Sequence, residues 1–153
     1  AMAIQRFHLI FCSSVIIAIF MALLLSPVVA AKENLLSESD QQAVQQVIEG
    51  QISAFKTDDY NTAYSFAAPN VRHAFPSVQM FIEMVRSQYM PLYRPAAYLF
   101  GRNTLSEGRV YQELIVTDPN RQLWQIIYTL RQQDDKSWKV TNVVMYPYDG
   151  VSA

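Results

Sequence analysis

The ten residues QLWQIIYTLR at positions 122–131 decide the fold. Trp124, Ile126, Tyr128 and Leu130 fall on one side of an extended chain and alternate with Gln125 and Thr129, which is the period of a strand with one buried face. Three further runs of this character surround it, at 96–102, 109–117 and 138–145. Turn chemistry separates the four: residues 103–108, then Asp118-Pro119-Asn120, then 133–137, each short enough for a hairpin between antiparallel neighbours. The pattern predicts an antiparallel four-stranded meander that needs apolar cover on one face.

The cover lies upstream. Ser39 with Gln42 three residues on reads as a capping box, and Val44, Val47, Ile48, Ile52 and Phe55 recur on one helical face up to about Lys56. The opposite face, with Gln41, Gln45, Gln46, Glu49 and Ser53, is polar. Asp58 or Asp59 caps a second helix, in which Tyr60, Ala63, Tyr64 and Ala67 share a face before Pro69 stops it. A short irregular link over 70–76 follows. A third helix starts at Ser77, carries Met80, Phe81, Met84 and Val85 at helical spacing, and ends at Pro91 after Tyr89. The expected fold class is α+β: three helices packed on a four-stranded antiparallel sheet, occupying 33–148. The chain from Tyr146 on holds too little apolar content to be more than a frayed end, with 149–153 a flexible tail.

Residues 1–32 read differently. Between Arg6 and Lys32 there is no Asp, Glu, Lys or Arg. The lone Arg6, the dense run around Val15 to Leu25, the Ser26-Pro27 break and the small residues Val28, Val29, Ala30 and Ala31 form an N-terminal apolar helix that is either a signal peptide or a membrane anchor. Either reading leaves Arg6 inside and the domain outside, in a periplasm or another lumen. The membrane is a partner, through residues 7–31, only if the segment stays uncleaved. In that case Ser13, Ser14 and Ala18 offer a small-residue patch to another helix, as in an accessory subunit of a membrane complex.

Composition excludes several chemistries. The single cysteine, Cys12, lies in the apolar segment, so the domain has no disulfide and no thiol chemistry. Removing Arg6 and Lys32 from the 12 basic residues leaves 10 against 13 acidic, a balance without nucleic-acid bias. The acidic pairs Asp58-Asp59 and Asp134-Asp135 read as turn or cap residues. With one histidine, His73, outside the leader and no carboxylates clustered around it, no metal site is expected. Only 4 glycines occur in the chain, and Gly-rich phosphate loops, dinucleotide fingerprints and a Gly-x-Ser-x-Gly elbow are all absent. No cofactor is expected.

Several strings are similar to those of the bacterial family DUF4864, and helices followed by a meander resemble the cystatin-like, NTF2-like cone. The strings are Ala54-Phe55 with Asp58-Asp59, Ala63-Tyr64-Ser65-Phe66-Ala67-Ala68-Pro69, Phe81-Ile82-Glu83-Met84-Val85 with Tyr89, Pro91 and Arg94-Pro95, then Trp124 with Tyr128, and Ser137-Trp138. They span nearly all of 41–145. Two positions depart: Lys136 stands where such domains often have a turn glycine, and Asn142-Val143 where the family often has Gly-Cys. The resemblance implies a curved sheet and a cone-shaped interior, and no assigned activity.

Within such a cone, proton-transfer chemistry of the isomerase or dehydratase type needs a buried carboxylate base. Glu113 is the best available carboxylate. The alternate set Val110, Leu114 and Val116 is the more apolar face, however, which turns Glu113 outward. His73, between Arg72 and Ala74 in a loop, is the other weak catalytic candidate and reads as a surface histidine. Tyr60, Tyr64, Tyr89 and Tyr128 are the candidate ligand-binding residues, because buried hydroxyls need partners and a tyrosine cluster with Gln112 or Gln125 makes an amphipathic pocket. The balance favours a non-catalytic binding or scaffolding domain that meets a protein partner, or a second copy, through its sheet face. The alternative is a small-molecule-binding or proton-transfer domain.

Overall fold

The computed structural model describes residues 35–150. The apolar segment expected at 1–32 and the end of the tail, 151–153, lie outside the described residues. Among those described, no helix is long and apolar enough to cross a membrane. The elements are α1 (Glu38–Lys56), α2 (Tyr60–Ser65), α3 (Pro69–Ala74), α4 (Val78–Gln88), α5 (Met90–Tyr93), β1 (Ala97–Ser106), β2 (Arg109–Thr117), β3 (Leu123–Gln132) and β4 (Trp138–Pro147). The strands form one antiparallel sheet in the order β1-β2-β3-β4.

Two short helices join the three that were expected, and both arise from prolines. Pro69 opens α3 instead of only stopping α2, because the first helical position needs no N–H and suits the fixed φ of proline. Pro91 sits in the first turn of α5 for the same reason. The first helix also begins earlier than its expected box. Ser37, not Ser39, is the cap: its Oγ accepts from Asp40 N at 3.1 Å and donates to Asp40 Oδ2 at 2.7 Å. Asp59 caps α2 and Ser77 caps α4.

The strands run longer than their apolar content predicts. Residues 103–106 belong to β1, and the turn shrinks to Glu107 and Gly108, both at positive φ (50° and 72°) as a tight hairpin requires. Polar Asn103, Thr104 and Ser106 had disguised this end. Likewise Tyr146 and Pro147 extend β4 instead of fraying, pairing with Gln125 and Trp124. Lys136 takes φ 70° in the last turn, the backbone state for which a glycine is the usual choice.

Side chains from α1, α2, α4 and α5 meet the inner face of the sheet. Val44, Ile48, Ile52 and Phe55 of α1 pack with Leu114, Ile126, Tyr128 and Leu130, all closed to solvent. Burying each such side chain stabilises the fold by about 1.5–3 kcal/mol. Two β-bulges interrupt the register, between Phe100 and Asn103 on β1 and at Thr141 on β4, and such insertions bend the strand that carries them.

Candidate functional site

Where the helices meet β4, packing leaves a groove of about 270 Å³. Its base is formed by Gln51 and Phe55 of α1, one side by α3 and α4, and the other by residues 140–143 of β4. Three side-chain-to-backbone hydrogen bonds hold the walls. Tyr64 Oη donates to Phe75 O at 2.7 Å, Tyr89 Oη to Val143 O at 3.0 Å, and Asn70 Nδ2 to the bulged Thr141 O at 2.9 Å. Beneath them, Arg72 donates to Ala67 O, Tyr64 O and Ser65 O and lies 4.8 Å from the Tyr64 ring centre. It thereby satisfies the carbonyls that the end of α2 leaves without helical partners.

Gln51 is the polar group at the base. It is 3 % exposed, and its Nε2 donates to Ala63 O at 3.1 Å. Among the described residues no donor reaches its Oε1, so this acceptor is available to an occupant. Gln88, Asn70 and Asn142 add amides at the rim, and Phe75, Phe81 and Met84 supply apolar surface. No Asp, Glu, His, Lys or Arg lines the groove.

The expected site residues do not converge on it. Of the four tyrosines only Tyr89 lines the groove, with its hydroxyl already committed to Val143. Tyr64 braces the wall through Phe75. Tyr60 lies apart, where Tyr93 Oη donates to Asp58 Oδ1 at 2.5 Å and Arg94 Nη2 pairs with the same oxygen at 2.6 Å. The Tyr93 hydroxyl, with the Arg94 guanidinium beside it, holds the Asp58 carboxyl below the ordinary carboxylate range, while burial pushes the Tyr93 phenol upward. Tyr128 is fully enclosed in the core. Its hydroxyl has no partner, and burial drives its ionisation well above the usual phenol range.

Glu113 stands on the outer face of β2, over Gly101 and 3.9 Å from Arg102 Nε. His73 is exposed in the last turn of α3, a helix rather than the expected loop, because Pro69 starts a helix there. Neither faces the groove. Of the two glutamines, Gln125 is on the outer face, whereas Gln112 is fully buried on the inner one. Gln112 Nε2 donates to Glu113 O of its own strand at 2.9 Å and to the β1 bulge carbonyls Gly101 O at 3.2 Å and Arg102 O at 3.4 Å, and its Oε1 has no partner. The buried Gln51 was missed, although the sequence carries a signal for it: position 51 lies on the apolar stripe of Val44, Ile48, Ile52 and Phe55.

Residues 37–153 match the family described as Domain of unknown function (DUF4864). No curated protein matches the sequence. Among solved structures, an NTF2-like protein of unknown function from Silicibacter pomeroyi DSS-3 aligns at 12 % identity and a TM-score of 0.52, covering 74 % of this chain and 100 % of its own. An NTF2-like protein of unknown function from Shewanella baltica OS155 aligns at 10 % identity and a TM-score of 0.49, covering 75 % and 100 %. At such identity the first likeness shows the fold alone: an α+β domain of NTF2-like type.

Proposed function

The chain belongs to the DUF4864 family, NTF2-like domains of unknown function, and within it we propose a non-catalytic binding module whose helix-to-β4 groove takes an uncharged amphipathic group. The observation that carries this reading is the lining: amides and apolar side chains with no charged residue. Proton transfer needs a base and an acid within reach of the substrate. The two candidates for that work, Glu113 and His73, lie away from the groove, so the isomerase or dehydratase alternative draws no support from the geometry. An amide-lined base suits a ligand that both accepts and donates hydrogen bonds, with an apolar body against Phe75 and Met84.

Two further parts belong to the same proposal. Residues 7–31 export the domain or tether it in a membrane, and the outer sheet face, where Leu99 and Tyr146 are exposed, meets a protein partner or a second copy. Intact mass of protein from the native membrane fraction checks the first. A mass that includes 7–31 supports a tether, and one beginning near Ala31 supports a free exported domain.

Titration of the 15N-labelled chain with octanamide and with octanoate tests the groove. The expected result is saturable shifts at the Gln88, Asn142 and Val143 amides with octanamide, about tenfold weaker with octanoate and about tenfold weaker in Gln51→Leu. Equal or tighter binding of the carboxylate, or no saturable shift, would sink the proposal.

A further inference from the structure

Across the outer face, on the other side of Asn70, Thr141 and Asn142, a second groove of about 680 Å³ crosses β2, β3 and β4. Its chemistry is the reverse of the first. In the strand register Arg109 stands directly opposite Arg131, and Arg131 opposite Lys139, so three cations share one cross-strand row on one face. Directly opposed like charges destabilise a sheet. No ion pair closes on this row: Asp135 attracts Lys139 only through its field, the ion pairs among the described residues are Arg94–Asp58 and Arg102–Glu113, and neither the Arg109 nor the Arg131 guanidinium makes a hydrogen bond there. Lys139 Nζ is committed to Ser65 O at 2.8 Å and contributes only its field. In the lining itself two cations, Arg109 and Arg131, stand against one acid, Asp134.

The next cross-strand row supplies neutral donors. Tyr111 faces Thr129, and both line the groove. Thr129 makes no side-chain hydrogen bond among the described residues, and its hydroxyl is open to the groove. An occupant that accepts hydrogen bonds at this point would satisfy the hydroxyl and neutralise the arginine pair together. A guanidinium fork matches the spacing of phosphate oxygens and binds them bidentately.

We propose that the outer-face groove between Arg109 and Arg131 is a phosphate-binding site, with Thr129 and Tyr111 as the hydroxyl donors. It is separate from the uncharged groove and stands whether or not that one binds a ligand. The phosphate comes from a free phosphate ester or from a lipid headgroup, and both present the same oxygens.

The test uses the full 15N-labelled chain in dodecyl maltoside micelles, titrated with inorganic phosphate at constant ionic strength against a sodium chloride control. Saturable shifts are expected at the amides of 109, 129, 131 and 141, beyond those with chloride. Arg131→Gln and Arg109→Gln each weaken the apparent affinity about tenfold, the loss of one charge-assisted pair. Arg131→Lys weakens it less, and Arg121→Gln, in the distant β2–β3 turn, leaves it unchanged. Both Gln variants keep or raise the melting temperature, because each removes a like-charge contact. Micelles doped with phosphatidylglycerol separate the sources: shifts at these amides with the lipid assign a headgroup, and shifts with inorganic phosphate alone assign a free ester. Absence of saturable shifts with either probe, or unchanged affinity in the Gln variants, overturns the proposal.

Discussion

On the inner face of β2, Val110, Gln112, Leu114 and Val116 are each closed to solvent, whereas on the outer face Tyr111, Glu113, Ile115 and Thr117 keep part of their surface open and Arg109 is exposed. One strand thus lives in two environments separated by the thickness of a peptide chain. Inside, the helices leave no room for choice, and volume decides which residue fits. Outside, the described domain covers little of the sheet beyond the start of α3, and residues there answer to charge and hydrogen bonding. Uncommitted polar and charged side chains are therefore concentrated where the fold makes the fewest demands: on the outer face, and in the groove where helix cover stops short of β4.

The widest separation between the faces should come from paired truncations. Leu114→Ala, which empties a fully buried site, is expected to destabilise by about 2–5 kcal/mol, while Ile115→Ala, one residue on and half-buried, should stay under about 1 kcal/mol in the same denaturant titration. Similar losses at both positions would dissolve the distinction. Gln112→Ala comes next. It strips the bulge carbonyls Gly101 O and Arg102 O of their side-chain donor and is expected to lose about 1–3 kcal/mol despite removing no apolar group. Tyr128→Phe sharpens the comparison by running in the other direction. Because the Tyr128 hydroxyl is buried without a partner, deleting it should leave stability unchanged or raise it by up to about 1 kcal/mol, and a clear loss would show that the hydroxyl is paired after all.

The smallest effect concerns acid. Tyr93 and Arg94 lower the ionisation of Asp58, so its contribution is complete above the ordinary carboxylate value, near pH 4, and is lost as pH falls through the lowered folded-state value. Asp58→Asn should lower stability at pH 7 and flatten the acid limb of the curve below pH 4, so that the variant and the parent chain converge once the Asp58 carboxyl is protonated. Asparagine accepts the positive φ of this position, so backbone strain does not confuse the result. An unchanged acid limb would remove Asp58 from the account.

Much of the fold was legible because alternation is a local signal. The bounds of β2 could be read at 109–117, and the inward set of β3 at Trp124, Ile126, Tyr128 and Leu130, since each residue's face follows from its neighbours. The same alternation put Glu113 outside. Proline was harder: Pro69 and Pro91 carry one meaning after a helix and another at its start, and only the tertiary setting chooses. The grooves were least legible. Gln51, Gln88 and Asn142 come from three elements and have no shared spacing, and the tyrosines that looked like a cluster are spread among a wall, a turn and the core. The Arg109–Arg131 pair was open to reading once the register was known, because the pairing is set by hairpin geometry and not by either strand alone.

The bulge near Gly101 also bears on the open side of β1. The meander ends in two edges: Ala67 bridges to Val140 along β4, while nothing in the described domain pairs with the free side of β1. A long open strand is a template on which another chain can add and begin an aggregate. By kinking β1 between Phe100 and Asn103, and by anchoring that kink from the core through the Gln112 amide, the protein presents an edge that is broken in the middle. Loosening that anchor would straighten the edge into a surface for uncontrolled growth.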